Sequence, residues 1–105
     1  MKLNVRERIK TLEVLSLYKE GNYVMLKTID GLKNKLYFSE EEVEKFKISF
    51  ETNMYRWGVP ENETEVVFDF TPGELKLIRD KLTALDKAEK LTADLFPPYE
   101  MFIEV

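Results

Sequence analysis

The sequence predicts an α+β domain in which helices cover one face of a small three-stranded antiparallel sheet, in the order α-α-α-β-β-β-α-α. Three observations lead there. Apolar residues recur at helical spacing over residues 5–36 and again over 75–85. Between Phe46 and Phe70 the spacing drops to roughly two. Capping residues (Asn4, Asn22, Ser39, Thr71 and Thr92) stand where each helical stretch begins.

Asn4 with Glu7 forms an N-x-x-E capping box, and Val5, Ile9, Leu12 and Leu15 follow on one face. This first helix is expected to stop at KEGN, with Gly21 taking the left-handed position. Asn22 opens a second helix that carries Met25, Ile29, Leu32 and Leu36. Ser39-Glu-Glu-Glu42 is a full capping box for a short third helix ending near Lys45. Ile48 and Phe50 then share one strand face, but Tyr55 and Trp57 are out of phase with them. A slip of one residue turns every side chain to the other face, so a tight turn is placed at 51–53 and a second strand at 54–58. The third strand, 64–70, points Val66, Phe68 and Phe70 inward and completes a meander. Thr71-Pro72-Gly73-Glu74 combines a cap, a proline at the first helical position and a glutamate at the third. Its helix sets Leu75, Ile78, Leu82 and Leu85 on one stripe and runs to about Ala88. Thr92 caps a last turn, Pro97-Pro98 interrupts any longer helix, and the tail YEMFIEV is apolar enough to dock.

A chain of 105 residues fits a single domain over 1–105, with 44% hydrophobic and 34% charged residues. No cysteine and no histidine is present, which removes disulfides, thiolate chemistry and the commonest general base and metal ligand. No apolar run approaches the roughly 18 residues of a membrane span, and the N-terminus lacks the apolar core of a signal peptide, so a cytoplasmic location is expected. The net charge of −4 is unevenly placed: residues 1–35 carry eight Lys/Arg and four Asp/Glu, residues 36–105 eight and sixteen. Two halves of opposite sign can neutralise each other within the fold, or present a dipolar surface to a partner or a second copy.

The stretches LNVRER at 3–8, EGNYVMLKTI at 20–29, FSEEE at 38–42 and KLTADL at 90–95, with Trp57 at the end of the second strand, resemble a family of short phage and prophage proteins. The Pro97-Pro98 pair departs from that family's more continuous terminal helix. The resemblance implies a virus-related origin and action in the host cytoplasm. It implies no activity and no site.

Catalysis finds little to work with. Ser16, Ser39 and Ser49 lack a histidine partner, Ser39 is committed to a cap, and there is no G-x-S-x-G or S-x-x-K. No catalytic residue, cofactor site or metal site is assigned. Glu61, Glu63 and Glu65 would share one strand face, as a charged edge that discourages sheet-to-sheet pairing. Glycines at 21, 31, 58 and 73 match no nucleotide-binding loop. Three helices and a hairpin is the order of a winged helix, but the third helix, SEEEVEKFK, would be repelled by phosphate. A basic strip at Arg6, Arg8 and Lys10 on the first helix is the alternative nucleic-acid surface.

The remaining feature is MYRWGVPENE, residues 54–63. Trp, Tyr and Arg are enriched at interface hot spots. Tyr55 and Trp57 are read as the inward pair, leaving Met54 and Arg56 outward, with Val59 and Pro60 extending the surface as the candidate partner-binding residues. The reading is a non-catalytic protein that binds an unidentified protein, an accessory or inhibitor of a host factor. A self-associating assembly protein and a weak nucleic-acid binder are the alternatives, and no membrane partner is expected.

Overall fold

The computed structural model describes residues 1–103 as β1 (Lys2–Leu3), α1 (Val5–Leu15), α2 (Tyr23–Leu36), α3 (Glu40–Phe46), β2 (Ser49–Glu51), β3 (Met54–Arg56), β4 (Val66–Val67), α4 (Pro72–Lys87) and α5 (Phe96–Phe102), with 3-10 turns at Glu61–Glu63 and Ala93–Leu95. The class is α+β. Among the described residues no helix is long and apolar enough to cross a membrane.

The expected capping boxes form, each with its two reciprocal bonds: Asn4–Glu7, Ser39–Glu42 and Thr71–Glu74. Asn22 also caps α2, accepting from the Met25 amide at 2.8 Å. The apolar stripes these caps launch make the core: Leu12, Val14 and Leu15 of α1, Ile29, Leu32 and Leu36 of α2, Ile78 and Leu82 of α4, and Phe102 of α5. Leu3 and Phe68 join them from the strands. No residue between Leu36 and Val66 belongs to this cluster.

The single three-stranded sheet and the order α-α-α-β-β-β-α-α are corrected. Among the described residues there are two separate two-stranded antiparallel sheets, β2–β3 and β1–β4, and a strand precedes the first helix. The expected third strand leaves the hairpin after a 3-10 turn at Glu61–Glu63, and its residues 66 and 67 pair with the N-terminus instead. Thr64 Oγ1 donates to the Glu61 carbonyl at 2.7 Å and accepts from the Val5 amide at 3.0 Å, tying this turn to the start of α1. Val66 and Val67 then pair with Leu3 and Lys2, and Met1 and Phe68 exchange hydrogen bonds at 2.8 and 3.0 Å. A two-residue strand has no periodicity to read, which is why β1 has no sequence signature.

Two helix ends also differ. Helix α1 stops at Leu15, where Ser16 returns both its amide and its hydroxyl to the Leu12 carbonyl, and Gly21 is not left-handed. Pro97 and Pro98 open α5 instead of interrupting a helix, since the first turn has amides that lack a partner anyway. The tail docks as expected through Phe102, while its last two residues, Glu104 and Val105, lie outside the described residues.

Ion pairs Arg6–Glu61, Arg8–Glu42 and Lys35–Glu74 each join the positive first third of the chain to the negative remainder. Burial pushes the Glu42 and Glu74 carboxyls up, but the Arg8 and Ser39 donors on one, and the Thr71 and Lys35 donors on the other, outweigh it and hold both below the ordinary glutamate value. A carboxyl depressed in the folded state contributes stability above its unfolded pKa, about 4.3, and loses it as pH falls through the lower folded value. Unfolding midpoints in urea should therefore be level near neutrality and drop in this acid window. Glu42→Gln and Glu74→Gln should each flatten that drop, and an unchanged acid limb in both variants would remove these carboxyls as its cause.

Candidate partner-binding face

The β2–β3 hairpin is built by a two-residue turn. Thr52 and Asn53 both have positive φ, 53° and 59°, the arrangement whose twist suits a tight hairpin. A β-branched residue is rarely held there, so Thr52 is a strained position. The turn sets Phe50 opposite Tyr55, Ser49 opposite Arg56 and Glu51 opposite Met54. The Phe50 and Tyr55 rings meet at 4.8 Å, and Phe38 approaches Tyr55 edge-on at 6.2 Å.

All six strand residues of this hairpin are exposed, and the inward assignment of Tyr55 and Trp57 is corrected. Tyr55 is 38% exposed, Met54 58% and Phe50 59%. Trp57 is half-buried, but against α1 and not under a sheet: the Arg6 guanidinium lies 5.3 Å from its ring centre. The reason is topological. Among the described residues the hairpin has no third strand and contributes nothing to the core, so no face of it is committed inward.

Between α1 and the hairpin lies a cavity of about 210 Å³, with Arg6, Ile9, Lys10 and Glu13 on one side and Asn53, Met54, Tyr55 and Trp57 on the other. It shares Ile9, Glu13 and Tyr55 with an open hollow of about 420 Å³ that is also bordered by Leu12, Ser16, Leu17 and Tyr37. A third, of about 380 Å³, runs from Tyr55 and Phe50 to Tyr37, Phe38, Val43, Ile48 and Ser49. One concave surface thus wraps the hairpin, with Tyr55 at its centre.

The sequence-predicted residues divide on this surface. Met54 lines the cavity beside Arg6 and Lys10, so parts of two separately predicted patches converge. Arg56 is exposed on the hairpin, and Pro60 is exposed and Val59 half-buried in the following turn, none of them lining the cavity. The basic strip is corrected at its centre, since Arg8 is 1% exposed. Its Nε donates to the Leu36 carbonyl at 3.1 Å, its Nη2 to the Tyr37 carbonyl at 3.0 Å, and both terminal nitrogens engage the Glu42 carboxylate. Phe38 and Phe68 cover the guanidinium at 4.3 and 5.0 Å. Position 8 follows Val5 by three residues, just under one helical turn, close enough to the apolar face to be drawn inward once acceptors await it. Of the others, Arg6 holds Glu61 at 2.7 Å and Lys10 approaches Glu13 at 3.5 Å.

The glutamates 61, 63 and 65 do not share a strand face, because Glu61–Glu63 form a 3-10 turn. Among the described residues no group of three acidic side chains converges as a metal cluster. Sequence reasoning missed Phe50, Tyr37 and Leu17 as surface residues. For Phe50 a signal existed: once the turn is fixed at Thr52-Asn53, register places it directly opposite Tyr55. The chain matches no protein-family model, no curated protein and no solved structure in comparisons with each.

Proposed function

We propose that this is a non-catalytic protein that acts by binding another protein through the concave face around the β2–β3 hairpin. The observation that carries the reading is the clustering of exposed apolar side chains: Val43, Phe50, Met54 and Tyr55 stand on a segment outside the core, and Leu17 and Tyr37 border it from the ends of α1 and α2. Such side chains cost solubility where they stand and contribute affinity when a partner covers them. The resemblance to phage and prophage proteins extends the proposal to an accessory or inhibitor of a host factor in the host cytoplasm.

Self-association is the second reading, favoured by the outer edges of both hairpin strands, which no other strand of the described residues pairs with. A nucleic-acid partner has less support, since burial takes Arg8 out of the basic strip and Arg6 and Lys10 have acidic neighbours.

The test is capture from host lysate by tagged wild-type protein and by a Met54→Glu/Tyr55→Ala variant, with and without nuclease. Both positions are exposed, so the variant should keep its fold within about 0.5 kcal/mol. A stoichiometric protein should be retained by the wild type after nuclease, and its affinity should fall at least about tenfold in the variant. Equal capture by both would move the interface elsewhere. Recovery of the protein's own copies alone would favour self-association, and recovery lost to nuclease would favour nucleic acid.

A further inference from the structure

We propose that residues 38–58, which hold α3 and the hairpin, form a hinged lobe that opens from α1 as one unit, with Arg8 as the latch that keeps it closed. Three observations carry this. The main apolar cluster draws on segments before and after the lobe and on no residue within it, while the lobe buries its own Phe46 apart from that cluster. The lobe is internally tied: the Gly58 amide donates to the Phe46 carbonyl at 3.0 Å, joining the base of the hairpin to the end of α3, and Ile48 returns to Val43 at 2.9 Å. Among the described residues, every hydrogen bond and ion pair from residues 38–58 to the rest of the fold ends on Arg8.

The remaining contacts suit a closing surface more than a core. Arg8 covers the Phe38 ring, Arg6 covers Trp57, and the cavity of about 210 Å³ separates Met54 and Tyr55 from Ile9. The two chain crossings are narrow. Tyr37 is extended at the end of α2, and Gly58-Val59-Pro60 leads out of the hairpin. Segments with few core contacts open at lower free energy than the core, often as cooperative units. Opening would widen the cavity and uncover Trp57, so the partner face would exist in a closed and an open form. That consequence rests on the proposed function, whereas the hinge itself does not.

Acrylamide quenching of Trp57, read beside hydrogen exchange on the protein alone, tests the hinge. The Ile48 and Gly58 amides donate within the lobe, so opening as one unit should leave them protected while it exposes Trp57 to the quencher. Glu42→Gln removes the charge that Arg8 grips but keeps a residue able to complete the Ser39 capping box. Trp57 quenching should rise about twofold or more in this variant, with the Gly58 amide still protected. Ser39→Ala removes the box and keeps the ion pair, so it should fray α3 and leave Trp57 quenching as in the wild type. Loss of Gly58 protection together with the rise in quenching would overturn the hinge, because the lobe would then melt instead of swing. Unchanged quenching in Glu42→Gln, or a Ser39→Ala variant that matches Glu42→Gln, would overturn the latch. Because no partner is present, failure here is separate from failure of the binding face.

Discussion

Arg8→Ala lowers the unfolding free energy by about 3–5 kcal/mol in urea titrations at neutral pH. The substitution removes a guanidinium that is 1% exposed and leaves its acceptors behind. The carbonyls of Leu36 and Tyr37 end α2 and have no other partner within the helix, and the Glu42 carboxylate faces the vacated space. Removing one side of a buried charge pair costs more than the pair contributes, because the other side stays desolvated. Arg8→Lys should recover only part of the loss. An ammonium has no planar fork to reach two carbonyls and both carboxylate oxygens at once. The only tryptophan, Trp57, lies in the proposed lobe, so its fluorescence and the helical circular dichroism should separate in Arg8→Ala, the fluorescence changing at lower urea. A loss below about 1 kcal/mol would mean that water or neighbouring groups replace the guanidinium.

The parts of this fold that could be read from sequence are those set by short-range chemistry. The Asn4, Asn22, Ser39 and Thr71 caps each require a side chain and an amide within three residues of each other, and all four form. The Thr52-Asn53 turn is similarly local. What could not be read depends on distant partners. Whether residues 66–67 pair with the hairpin or with the N-terminus is decided by the bond between Thr64 and Val5, 59 positions apart in sequence. Arg8 looked like a surface residue because its identity is polar. The carbonyls and carboxylate that hold it lie 28 to 34 positions away. The candidate face was half legible for the same reason. The side chains of MYRWGVPENE were recognisable as binding chemistry, but the assignment of Tyr55 to a core assumed a third strand that pairs elsewhere.

That same assumption can be tested on two phenylalanines. Phe102→Ala should cost about 3–5 kcal/mol, and Phe50→Ala no more than about 0.5 kcal/mol. The side chains carry equal transfer free energy from water, so any difference reports where the fold puts them. Phe102 is 1% exposed, sets its ring 6.2 Å edge-on to Phe70, and lies on a helix whose Phe102 carbonyl accepts from Arg79 Nε at 2.8 Å. Truncation there leaves a cavity bounded by α1 and α4, both of which pack against α5 and have little freedom to collapse into it. Phe50 is 59% exposed and packs chiefly on Tyr55, so its loss forfeits one ring contact and little burial. The two urea midpoints, measured side by side, decide between two views of the hairpin. A large loss at Phe102 and a negligible one at Phe50 would fit an aromatic surface held free for a partner. A loss at Phe50 approaching that at Phe102 would mean that the hairpin packs as core, and the binding face would then have to be sought elsewhere.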